Sequence, residues 1–133
     1  MSLNAIPLIV VALLVYNAIV FFGGEQILGT PIIEIPMLRD GRWVFAWGDF
    51  VLLLVLMLLF IELLKATYTS TSSLVNHGLS MLVFVACLIE FLMVKQAASS
   101  VFFFITVAAL LDVIAGYTIS VRMARRDLQI GSE

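Results

Sequence analysis

The sequence has little of what a soluble active site draws on. In 133 residues it holds one cysteine, Cys87, one histidine, His77, and three prolines. A lone cysteine excludes an internal disulfide framework and any CxxC motif. A single histidine excludes a multi-histidine metal site within one chain. Charge is scarce too: 12% of residues are charged, against about 25% in ordinary soluble domains. The formal net charge is −2 and no basic stripe runs along the chain, so no nucleic-acid partner is expected. No GxSxG, HExxH, Walker or glycine-rich phosphate loop occurs. The expectation is a protein that is not an enzyme, with no catalytic, cofactor-binding or metal-binding residues.

Hydrophobic residues make up 63% of the chain and the mean hydropathy is +1.18. A soluble domain this small cannot hide so much apolar surface from water, so the expected solvent is the lipid bilayer. Four apolar runs, roughly 5–22, 49–67, 74–95 and 101–121, each approach the ~20 residues of a spanning helix. The fold expected is an all-α membrane protein, a four-transmembrane-helix bundle forming one integral domain over 1–133. The first run has no positive flank before it and no small-residue cleavage site after it. It therefore reads as an uncleaved span instead of a signal peptide. Pro7 suits the first turn of that helix. Asp49 suits the N-cap of the second helix, and the serines of AASS suit that of the fourth.

Four spans put the N-terminus, the 68–73 loop and the C-terminal tail on one side, with Lys65, Arg122, Arg125 and Arg126. Arg39, Arg42 and Lys95 fall on the other. The three arginines of the tail, 122–133, share a helical face and suit an anionic cytoplasmic leaflet, at about 1 kcal/mol per residue. Both termini are thus expected in the cytoplasm, the protein lying in a bacterial inner membrane.

The longest connection contains IIEIPMLRDGRWVFAW. Asp40-Gly41 signals a type I′ turn, so a short extracytoplasmic β-hairpin over 32–47 is expected. Period-2 alternation would put Trp43, Phe45 and Trp47 on one face, with Arg39 and Arg42 nearby. That face is either an anchor at the membrane interface or an edge that pairs with a partner.

Polar residues inside apolar runs are the candidates for function. Asp112 lies mid-run in ITVAALLDVIAGY, where an acid costs about 2.5–3.5 kcal/mol. It shares a small-residue stripe with Ala108, Ala109, Ala115, Gly116 and Ser120, so it is expected to face a helix and not lipid. As a packing residue it would bond to Asn17 and Tyr16 of the first helix, or to serines and carbonyls. As a carrier it would move a proton or cation. Glu62 and His77 fall at similar depth near the cytoplasmic face, and a pair between them competes with an ion pair from Glu62 to Lys65, three residues on. Glu90 is expected to snorkel towards Lys95, or towards Arg39 and Arg42. Cys87 reads as a small hydrophobe.

Four spans with Glu62 late in the second, His77 after it and a basic tail at Arg122 to Arg126 resemble the phosphate-starvation-inducible E family in outline. The interior spacings differ from that family, and no further chemistry follows from the likeness. The function expected is that of a structural or accessory subunit that self-associates as a homo-oligomer or joins a larger membrane-protein complex. The alternative is a small proton- or cation-coupled transporter or channel using Asp112, with Glu62 and His77 at its cytoplasmic mouth.

Overall fold

Leucine, alanine and methionine are strong helix formers, and each apolar run folds as a helix in the computed structural model, which describes residues 6–68 and 74–131. The helices are α1 (Ile9–Gly23), α2 (Trp47–Tyr68), α3 (Leu74–Met93) and α4 (Ser100–Gly131). Between α1 and α2 come a 3₁₀ turn (Glu25–Gly29) and two antiparallel strands, β1 (Pro31–Pro36) and β2 (Arg42–Ala46). A second 3₁₀ turn (Lys95–Ala97) joins α3 to α4. Over Trp47–Lys65 and Ser100–Thr118 the chain is helical, long and apolar enough to cross a membrane. The apolar helical stretches Ile9–Gly23 and His77–Met93 are shorter. α4 has 32 residues, about 48 Å at 1.5 Å per residue. The segment expected as a tail is thus, as far as Gly131, a continuation of α4.

Local chemistry sets the helix ends. Ser99 Oγ accepts the Phe102 N–H at 3.2 Å and so caps α4, as expected from AASS. Asp49 acts otherwise than expected. It lies inside the first turn of α2, and its Oδ2 accepts the Ala46 N–H at 3.0 Å, the backward half of a capping box. The reason is that β2 runs into α2 without a loop, so Ala46 takes the capping position. Pro7 stands ahead of α1, its carbonyl accepting the Val10 N–H at 3.2 Å. Gly24, at φ 87°, ends α1 and donates its N–H to the Val20 carbonyl at 2.8 Å.

The hairpin forms, but its turn differs from the expected one. Pro36 pairs with Arg42, leaving a five-residue loop over 37–41. Asp40 takes a positive φ of 41° while Gly41 does not, so the two-residue type I′ geometry is absent. Pro36 at the strand end cannot carry the ladder further into the turn. Trp43 and Phe45 share a face, their ring centroids 5.6 Å apart. Trp47 leaves that face because it begins α2, where its ring meets Phe50. Arg42 pairs with Glu34 at 3.5 Å across the strands.

The four helices run alternately up and down. One end of the bundle holds the close of α1 and the start of α2, where Gly48 approaches the Leu28 carbonyl and the Val101 side chain of α4. Gln96, after α3, shares a groove there with Gly24 and Glu25. The other end brings the start of α1 to the end of α2. α4 packs most extensively, against α2 and α3; α1 and α3 touch little. The buried stripe of α1 is Ile9, Ala12, Tyr16 and Val20, a 3.6-residue period. It meets Val51 and Val55 of α2 and Phe102, Ile105, Ala108 and Ala109 of α4. Large apolar residues point outward on every helix, among them Leu14, Phe22, Leu56, Phe60, Leu92 and Ile114.

Candidate functional site

Two polar clusters tie the helices together, at different levels of the bundle. The lower one lies where α1 begins. The first N–H groups of a helix have no partners within it, and α1 has no side-chain cap of its own. Glu62 of α2 supplies one: its Oε2 accepts the Leu8 N–H at 3.0 Å. The same oxygen lies 3.6 Å from Lys65 Nζ, the i,i+3 pair expected from the sequence. Lys65 Nζ also donates to the Ile6 carbonyl at 3.5 Å. A carboxylate at a helix start is further favoured by the helix dipole.

Asp112 of α4 belongs to this cluster. It is 6% exposed, and Glu62 and Lys65 are both within electrostatic reach of it. Among the described residues it makes no hydrogen bond. Its expected partners are engaged elsewhere, because Tyr16 and Asn17 lie two turns further along α1, about 12 Å above its first turn. Ala108 and Ala109 are buried with Asp112 inside the chain's own bundle, while Ala115 and Gly116 are half-buried. The side chains of Ser120 and Arg126 fall outside the described residues; Arg122 and Arg125 are exposed. His77 does not join Glu62. Its ring lies against Tyr117 of α4, centroids 5.7 Å apart at 68°.

The upper cluster was not legible as a unit in the sequence. Tyr16, fully buried, donates its hydroxyl to the Gln96 carbonyl at 2.8 Å and lies 2.7 Å from Ser99 Oγ. Its ring meets Phe102 edge-on, centroids 5.0 Å apart. One tyrosine thus joins α1 to the α3–α4 turn and to the cap of α4. The only advance signal was a tyrosine in an apolar run, whose hydroxyl seeks a partner when buried. Beside it, Asn17 Nδ2 donates to Glu90 Oε1 at 3.4 Å. Glu90 therefore turns to α1 and not to the basic residues expected: Arg42 is paired with Glu34, and neither Lys95 nor Arg39 forms an ion pair with Glu90 among the described residues. Asn17 Oδ1 and Glu90 Oε2 are buried without a hydrogen-bond partner. Cys87 is fully buried in the apolar core, as a small hydrophobe would be. Among the described residues no group of three metal-ligating side chains comes together.

Comparison of the chain with protein-family models, with curated proteins and with solved structures finds no match to any of them. The outline shared with the phosphate-starvation-inducible E family thus carries no further weight.

Proposed function

We propose that this chain is a small four-span membrane protein that serves as a structural or accessory subunit, self-associating or joining a larger membrane complex. In this reading α1 and α3 cross beside α2 and α4, both termini face the cytoplasm of a bacterial cell, and the hairpin lies outside. The observation that carries it is the distribution of side chains. Small and polar residues (Ala12, Tyr16, Ala108, Ala109, Asp112) lie inward beside a small apolar core that includes Ile9, Phe102 and Ile105, while many more leucine, phenylalanine, methionine and isoleucine side chains face outward across the four helices. Water would penalise so large an apolar exterior. Lipid favours it, and in lipid helices associate through close small-residue packing and side-chain hydrogen bonds. The polar clusters act here as ties between helices.

The test is extraction into native lipid particles, followed by mass spectrometry of the intact assembly. A partner at fixed stoichiometry, or a closed homo-oligomer, supports the reading. A solitary monomer throughout sinks it.

A second reading has its own observation. Asp112 is buried with a second acid and one lysine for company, and among the described residues it makes no hydrogen bond. That environment suits a proton or cation carrier. In reconstituted vesicles, loss of pH-coupled flux in Asp112→Asn with assembly intact would favour transport; absence of such flux in the wild type removes it.

A further inference from the structure

The upper polar pair is exposed to a groove. Where α1 and α3 part, Asn17, Phe21, Ala86, Ile89, Glu90 and Val94 line an open groove of about 480 Å³. Four of the six are apolar. The polar floor is a carboxylate and an amide that spend one contact on each other, Asn17 Nδ2 to Glu90 Oε1. The remaining oxygen of each is buried without a donor. A buried acceptor left unpaired costs about 1–3 kcal/mol, so two together mark a place where a donor belongs. Both oxygens sit on terminal sp³–sp² torsions, which are broad. Asn17 and Glu90 both line the groove, and rotation about these torsions is what would bring either oxygen to a ligand there. A neighbouring groove of about 440 Å³ shares Phe21 and adds the carboxylate of Glu25 with Gln26 and Gln96. Among the described residues no lysine or arginine is paired with Glu90.

We propose that the Asn17–Glu90 floor of this groove binds the primary ammonium group of an amphipathic amine, whose apolar body lies along Phe21, Ile89 and Val94. The chemistry selects this class. The donors needed must radiate to oxygens on two different residues, and an ammonium has three freely directed N–H groups. A guanidinium fork matches both oxygens of one carboxylate, and here Oε1 is already engaged by Asn17. A hard metal cation takes about six oxygens or more, and this floor offers two that are unused. A quaternary ammonium has no N–H to give. The site lies near the hairpin end of the bundle: Glu90 is four residues before Val94, about 6 Å of helix. That depth admits either a phospholipid with an ethanolamine headgroup or a free long-chain amine.

The test uses the full chain in phosphatidylcholine nanodiscs, read by thermal unfolding and native mass spectrometry. Dodecylamine is titrated against dodecyltrimethylammonium. The wild type is expected to be stabilised by the primary amine and not by the quaternary one. Glu90→Gln keeps the shape, and its own amide can donate to Asn17, so it folds; its apparent affinity for dodecylamine is expected to fall about tenfold or more, as for the loss of one charge-assisted bond. Ala86→Phe fills the groove, leaves the pair intact and is expected to abolish the effect. Nanodiscs containing phosphatidylethanolamine separate the sources: stabilisation of the wild type but not of Glu90→Gln assigns the lipid headgroup, and no change assigns a free amine. Equal responses of wild type and Glu90→Gln, or equal responses to the two detergent-like amines, would overturn the proposal. The pair would then be satisfied by a proton or by a partner's side chain.

Discussion

Glu62 Oε2 meets a helix-start N–H and a lysine ammonium at once, whereas Asp112 meets no hydrogen-bond donor among the described residues. The two acids therefore differ in what their removal leaves behind. Glu62→Leu strips the half-buried Leu8 N–H of its acceptor, at a cost towards the lower end of the ~1–3 kcal/mol of a fully buried stranded donor. Asp112→Asn keeps the volume and strands nothing, so its effect on stability is expected to be less than half as large. Denaturant unfolding in mixed micelles gives the order; the reverse order would make Asp112 the principal tie. The same logic applies to Tyr16. Tyr16→Phe frees the Gln96 carbonyl and Ser99, while Ser99→Ala removes both that contact and the α4 cap, a loss of about 1–2 kcal/mol. Because they share one hydrogen bond, the double variant is expected to lose less than the sum of the singles. Strict additivity would mean that the Tyr16–Ser99 contact carries no energy.

Element by element, the parts governed by local pattern were readable. Apolar runs marked the four helices to within a few residues except at the far end of α4, which continues through the expected tail from 122 to Gly131; Asp40-Gly41 marked the hairpin, and the serines before α4 marked its cap. What was not readable depends on chain segments far apart in sequence. The Glu62 bond to Leu8 spans 54 residues and the Asn17–Glu90 bond spans 73; no spacing rule reaches so far. Asp49 was misread because the sequence does not show that a strand enters α2 without a loop. Gly48 was overlooked for a related reason, since only the packed junction shows its need. A Cβ there would lie 3.0 Å from the Leu28 carbonyl and 3.1 Å from Val101 Cγ2. Gly48→Val is therefore expected to cost about 1–3 kcal/mol, as overpacking does. Gly78→Ala, in α3 with nothing within 4 Å of the added carbon, is expected to gain up to about 1 kcal/mol from helix propensity. Thermal unfolding of the two variants side by side checks both signs.

For the whole molecule, the up-down arrangement turns the proposed four-span reading into a parity test. If α2, α3 and α4 all cross, the hairpin and the far end of α4 are separated by three crossings and lie on opposite sides. If only α2 and α4 cross, two crossings return them to the same side. The positions for the test are clear: Leu38, in the hairpin loop, is fully exposed, and Arg125 is exposed on the last turns of α4. On a Cys87→Ala background, Leu38→Cys is expected to react with a membrane-impermeant maleimide in intact bacterial cells, and Arg125→Cys only after permeabilisation. Lys95→Cys, at the hairpin end of the bundle, should follow Leu38→Cys. Labelling of both Leu38→Cys and Arg125→Cys from one side would reduce the spans to an even number between them. Because α2 and α4 are the two helices long and apolar enough to cross among the described residues, α3 would then be the one outside the membrane core, lying at the interface. The proposed four-span reading expects the other outcome, on the placement of side chains along α3. Glu90 and Cys87 face α1 and the core, while Leu82, Ile89, Leu92 and Met93 are exposed. That apolar exterior fits a crossing helix, whereas one lying flat would keep a strongly charged face towards water.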